Sequence, residues 1–254
     1  MRRSWRQFTV VLLLTHSLPT LALLLAVVPL YPPPLEPTAP GAPPAPLPDG
    51  YLADFGVLLA AMLGLVCLLA LVQAVGWAAG SWVIARQAAG QPAPVGAALP
   101  YGLRRAPALW GWTLVYGLLV AVGLVLCYLP GLYAMVALGL FGPVLLFERG
   151  APLGRAREMF HARLGPVLGR IALVRLAASV FSLVLAPVQV AGVLLGDPAD
   201  AASFSGWDVA YAVVAAVITL PYGLVHLVGL VVTYAEQRAC EGPVTATRLA
   251  GELG

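Results

Sequence analysis

The chain has 254 residues, 61% of them hydrophobic and 10% charged, with a mean hydropathy of +0.91. Soluble globular domains carry about 25% charged residues, so this composition excludes a water-soluble fold, and most of the surface must face lipid or other apolar helices. The net charge of +3 conceals a segregation of 14 arginines, with no lysine, from a largely separate set of carboxylates. Absence of both Lys and Asn, beside abundant Ala, Arg, Gly and Pro, points to a GC-rich bacterial source.

Arg2, Arg3 and Arg6 precede an uncharged run from Phe8 to Leu30, longer than the ~20 residues a helix needs to cross the hydrocarbon. It reads as span one, residues 8–30. A cleaved signal peptide competes for the same basic start, but its apolar core would be about 7–15 residues. Residues 31–50 are rich in proline and contain no basic residue, which predicts an extended outer loop that tethers span one to span two or presents a ligand to a partner.

The run from Phe55 to Ala85 is uncharged and too long for one bilayer crossing. Span two is placed at residues 52–75, with Gly76 to Gly90, including Trp77, Trp82 and Arg86, continuing along the inner interface. Gly76 and Gly80 form a GxxxG spacing that would let a helix approach closely, although chance is the favoured explanation in a chain with 27 glycines. The uncharged stretch Ala106 to Phe147 is interrupted by Pro130 and Gly131. One kinked helix would send Arg149, Arg155, Arg157, Arg163, Arg170 and Arg175 across the membrane; two spans, 107–129 and 132–147, joined by a turn at Pro130–Gly131, keep them inside, as insertion favours. Span five takes residues 171–195, with Arg175 snorkelling to the inner headgroups. The following outer loop holds Asp197 and Asp200, and span six is residues 209–234.

With these spans every arginine falls on one side, in the tails and the two inner loops, whereas Glu36, Asp49, Asp54, Asp197, Asp200 and Asp208 lie opposite. Glu148, Glu158, Glu236, Glu241 and Glu252 stay with the arginines. The expectation is a single all-α membrane domain over residues 1–254, a polytopic bundle of six transmembrane helices with both termini cytoplasmic in a bacterial inner membrane.

An interfacial amphipathic helix is expected between spans four and five, in the Arg-rich inner loop 148–170. From Leu153, a helix gathers Ala156, Phe160, Leu164, Val167 and Leu168 on one side. Pro166 is expected to separate it from span five. Arg155, Arg157, Arg163 and Arg170 would then offer guanidinium groups to anionic lipid headgroups; ordinary retention of inner arginines explains them equally. Glu148, Tyr234, Glu236 and Arg238, with Arg157, form a candidate structural network on the inner face.

His16 and His226 each sit ten residues from an inner charge, Arg6 and Glu236, which puts both about 15 Å deep. They serve either a proton or cation path or interhelical hydrogen bonding beside Pro19 and Pro221. No catalytic constellation is present: three His occur without HExxH, Ser81 lacks a nucleophile context, and Asp49 to Asp54 match only the start of an alcohol phosphatidyltransferase motif. No cofactor, metal or nucleic acid is expected. Cys67, Cys127 and Cys240 read as small apolar fillers.

Leu129 to Tyr133, Val144 to Glu148, and Gly150 to Gly165 with Pro152-Leu153-Gly154, Arg157 and Phe160, resemble the central signature of a bacterial six-span family. That family is related to YciC and to the membrane domain of some glycerophosphoryl diester phosphodiesterases. Tyr234-Ala235-Glu236-Gln237-Arg238 followed by Glu241-Gly242 is similar to its closing Tyr-x-Asp-x-Arg and Glu-Gly pattern. The chain departs from it at Glu158-Met159-Phe160, where the family has Arg-Ser-Trp, and at Glu236, where it has Asp. The resemblance implies a multi-span protein, catalysis in the phosphodiesterases belonging to a separate soluble barrel. The leading expectation is a non-catalytic scaffold or accessory protein that engages anionic membrane lipid, a protein partner or a second copy; the alternative is a small-solute or ion transporter using polar residues of spans one and six.

Overall fold

The computed structural model describes residues 4–27, 50–148, 150–195 and 205–253, and these form helices joined by turns, with no strand among them. The Pro-rich loop, apart from Gly50, lies outside the described residues, as do Arg2, Arg3, Arg149, Asp197 and Asp200. Six helical segments are long and apolar enough to cross a membrane: Trp5–Val27, Tyr51–Ala88, Val95–Leu126, Tyr128–Glu148, Leu164–Gly192 and Gly206–Glu241. The expected all-α bundle is what the chain forms. Leu63, Leu118, Leu173 and Val217 are each at least 60% exposed, a surface that only lipid can cover without cost.

Span one comprises α1 (Ser4–Leu12), a π-helical turn (Leu13–Ser17) and α2 (Leu18–Val27). Spans two and three are the long α3 (Tyr51–Ala88) and α4 (Val95–Leu126). Span four is split into α5 (Tyr128–Ala137) and α6 (Phe141–Glu148). The expected inner amphipathic helix is α7 (Pro152–Ala162), and it buries Ala156, Met159 and Phe160. Span five is α8 (Leu164–Leu183) continued by α9 (Leu185–Leu195). Span six is α10 (Gly206–Glu241), opened by a capping box in which Ser205 and Asp208 exchange side-chain and backbone hydrogen bonds. A short α11 (Ala246–Glu252) follows.

Four helix breaks share one cause. Pro130, Pro143, Pro166 and Pro187 are each the third residue of the helix that follows a break. An internal proline clashes with the carbonyl four residues earlier and removes its hydrogen bond, whereas at the third helical position the missing N–H is one of the donors that go unpaired anyway. Counting back four residues gives Leu126, Ala162 and Leu183, the last residues of α4, α7 and α8, and Gly139, inside the turn between α5 and α6. The hairpin therefore turns at extended Cys127, not at Pro130–Gly131, and α7 parts from span five at Arg163, not at Pro166. The π-helical turn fits the same rule, since it widens the backbone around Thr15, four residues before Pro19, and Leu18 N–H bonds back to Leu13 O.

Close approach between spans is made at glycines. Gly76 of α3 faces Thr15 and His16, and Gly80 faces Leu227 and Phe8. The GxxxG spacing is thus the face on which spans one and six lie against span two. A Cβ on Gly102 of α4 would stand 2.5 Å from Val75 O. These contacts, with Arg170 against Glu236 and Arg155 against both Glu148 and Glu241, gather the start of span one, the end of span two, the end of span four, the start of span five and the end of span six at one pole of the bundle.

Candidate functional site

Between spans two, three, four, five and six lies a cavity of about 180 Å³, room for several water molecules or a small solute. Small residues open it: Ala70 and Ala74 on α3, and Gly139 and Gly142 at the break in span four. Apolar walls come from Trp77, Leu109, Phe141 and Leu230, and polar groups from Gln73, Thr113, Tyr116, Arg175 and His226. Leu109 follows Arg105 by one turn and His226 precedes Arg238 by twelve residues, so the cavity spans roughly 6–18 Å below the arginine pole. A broken span beside a polar pocket is how membrane proteins expose backbone polarity without exposing it to lipid.

Arg175 is the charge of this cavity. It lies five residues beyond Arg170 on α8, about 8 Å deeper, within snorkelling reach of the pole. Its guanidinium instead donates to the Tyr116 hydroxyl at 3.1 Å, which in turn donates to Met135 O at 3.1 Å. The Tyr116 ring stacks on Phe141 with centroids 4.9 Å apart, so the hydroxyl that holds Arg175 is itself fixed. The expected return of Arg175 to the headgroups is therefore corrected: Tyr116 offers an acceptor inside the bundle that a headgroup would otherwise supply. Among the described residues no carboxylate pairs with Arg175, and its buried Nε has no hydrogen-bond partner.

His226 is 8% exposed, and its Nδ1 is also buried without a partner. Trp77 meets its ring edge-on at 5.4 Å, and Tyr222 lies tilted against it at 5.6 Å. His16 lies in the same layer, against Gly76 and Gly223, yet it is not among the residues that line the cavity. Thr15 spends its hydroxyl proton on Val11 O at 2.7 Å, so His16 Nδ1 donates to Thr15 Oγ1 at 3.0 Å. The two histidines are thus brought to one level, His226 facing the cavity and His16 packed into the π-helical turn.

The inner-face residues divide into two groups. Glu148 accepts from Arg155 Nε at 3.0 Å, Arg238 Nη1 at 2.9 Å and the Tyr234 hydroxyl at 3.1 Å. Tyr234 is fully buried and stacks on Phe147 at 5.1 Å. Arg155 also pairs with Glu241, and Arg238 reaches Glu252 at 3.2 Å. Burial works against the charge of Arg155, but its hydrogen bonds to Glu241 and Glu148 prevail and raise its pKa above the ordinary arginine value. Glu236 stands apart from this group and pairs with Arg170. Arg163 donates to Cys240 Sγ at 2.8 Å. Arg157 is exposed, and its guanidinium has no ion-pair partner among the described residues.

Of the four arginines considered for lipid headgroups, three are engaged by other side chains. The cavity residues Gln73, Thr113, Tyr116 and Arg175 formed no group in the sequence. The signal that could have found them is that an ionisable side chain within a span is a candidate site by default. Among the described residues no group of three or more His, Cys, Asp or Glu comes together as a metal site would require. The six apolar helices define a multi-pass membrane protein. Comparison of the chain with protein-family models, with curated proteins and with solved structures gives no match.

Proposed function

We propose that this protein binds a small polar solute within the membrane and passes it across, the solute occupying the cavity between spans two to six. The observation that carries this reading is Arg175, a guanidinium held inside the bundle by Tyr116 with no carboxylate paired to it among the described residues. Purely structural charges in a membrane are paired with opposite charges or returned to the interface. The leading expectation from the sequence, a scaffold that engages anionic lipid through an arginine surface, is supported by Arg157 alone, because Arg155, Arg163 and Arg170 are engaged by Glu148 and Glu241, Cys240 and Glu236. The arginine pole is taken as cytoplasmic by the positive-inside rule, with both termini inside, and the bacterial inner membrane rests on the Arg-rich, Lys- and Asn-free composition. Membership of the six-span family resembled by Leu129 to Tyr133 and Tyr234 to Gly242 belongs to the same reading.

The test is water access. In proteoliposomes of a Cys67→Ala, Cys127→Ala, Cys240→Ala protein, Thr113→Cys should react with hydroxyethyl methanethiosulfonate, which needs a hydrated thiolate, while Leu118→Cys on the lipid-facing side of α4 should not. A Thr113→Cys that stays unmodified from both sides overturns the reading.

A further inference from the structure

Resting on that reading, we infer that the cavity is a site for a monoanionic carboxylate with a small apolar body. Three observations converge. Arg175 supplies one full positive charge, with a buried Nε–H that has no acceptor, while Tyr116 holds another edge of the guanidinium. The α6 helix begins at the cavity, where Gly142 presents the positive end of its dipole, the Phe141 N–H being spent on Leu138 O. His226, nine-tenths buried, lines the same space with an unpartnered Nδ1.

The charge count selects the class of ligand. An uncompensated cation in low dielectric is costly, and one carboxylate neutralises it with charge-assisted hydrogen bonds. A phosphate dianion would leave excess negative charge, since no second cation lines the cavity among the described residues. A cationic or neutral solute would leave Arg175 unsatisfied. Trp77, Leu109, Phe141 and Leu230 then face the rest of the ligand, and an aromatic or short aliphatic body fits them better than a polyol does. Gln73 and Thr113 add hydrogen-bonding groups on the wall shared by spans two and three.

The carboxylate has two sources, a water-borne acid or a fatty acid from the bilayer, and the experiment separates them. Thr113→Cys, in the cysteine-free background and in nanodiscs of phosphatidylcholine, is treated with anionic sulfonatoethyl and cationic trimethylammonioethyl methanethiosulfonates. With each rate divided by that of the same reagent on a free thiol, the anionic reagent should be preferred by about tenfold or more. That preference should persist in Arg175→Lys and vanish in Arg175→Gln, with Arg175→Lys also showing that the position tolerates substitution. Benzoate should protect the thiol from the neutral hydroxyethyl reagent while benzamide, its uncharged counterpart, does not. Protection by oleate added to the disc, with none by benzoate, supports the same carboxylate site with a membrane source.

Equal normalised rates with the two charged reagents, or equal protection by benzamide, overturn the inference while leaving the solute-binding reading intact, because the thiol is still reached by water. Absence of protection by both benzoate and oleate also overturns it. A thiol that reacts with none of the reagents removes both.

Discussion

Glu148→Ala is expected to lower the stability of the folded bundle by about 3 kcal/mol, whereas Glu236→Gln should change it by less than about 1 kcal/mol. Both residues are carboxylates of the arginine pole paired with arginine, and their surroundings make the difference. Glu148 is 17% exposed and satisfies Arg155, Arg238 and Tyr234 at once. Its loss leaves a buried Tyr234 hydroxyl without its acceptor and two guanidiniums with only their outer partners, Glu158 and Glu241 for Arg155 and Glu252 for Arg238. Because the network joins the end of span four to α7 and to the end of span six, the damage should spread to all three. Glu236 and Arg170 are each 45% exposed, where water and salt replace most of the attraction. Tyr234→Phe, which removes a single hydrogen bond, should fall between the two, at about 1 kcal/mol. The measurement is the midpoint of thermal loss of monodisperse protein in mild detergent. Equal shifts for Glu148→Ala and Glu236→Gln would show that the network is surface decoration.

The membrane class and the all-α bundle were legible because hydropathy accumulates over long windows, where no single residue decides the result. Helix ends were less so. Pro130 and Pro166 mark real interruptions, but a proline acts on the carbonyl four residues behind it, and the breaks accordingly fall at Cys127 and Arg163. Pro143 gave no sequence signal for a break within span four, though its effect is what exposes Gly139 and Gly142 to the cavity. The inner-face pairing was partly legible: Glu148, Tyr234 and Arg238 meet, but Arg155 takes the place considered for Arg157, and Glu236 turns to Arg170. Spacing along one helix does not say which of two neighbouring arginines points at a carboxylate on another. The cavity was illegible for a related reason. It is assembled from five spans, each contributing one to three polar or small residues that look incidental in their own helix. Arg175 could be read as snorkelling until the position of Tyr116 was known.

Gly76→Val is expected to cost about 3 kcal/mol or to abolish folding, while Gly64→Val on the same helix should be nearly neutral. Nothing lies within 4 Å of a Cβ on Gly64, but one on Gly76 would press into the Thr15 side chain and stand 2.7 Å from His16 Cε1. Neither neighbour can swing aside easily. Thr15 is β-branched and tied to Val11 O, and His16 is tied to Thr15. The backbone beneath them is already widened into a π-helical turn by Pro19. Gly80 should be more forgiving, since its nearest neighbour is the terminal Cδ2 of Leu227, 2.5 Å from an added Cβ. Gly80→Ala should therefore cost less than Gly76→Ala. Thermal stability of the four variants in one detergent checks the order, and indistinguishable values for Gly76→Val and Gly64→Val would return the glycine pair to coincidence. The substitution also reaches the cavity, because Trp77 follows Gly76 directly and touches His226. A variant such as Gly76→Ala that still folds should change the labelling rate of Thr113→Cys, tying the packing of span one against span two to the shape of the site.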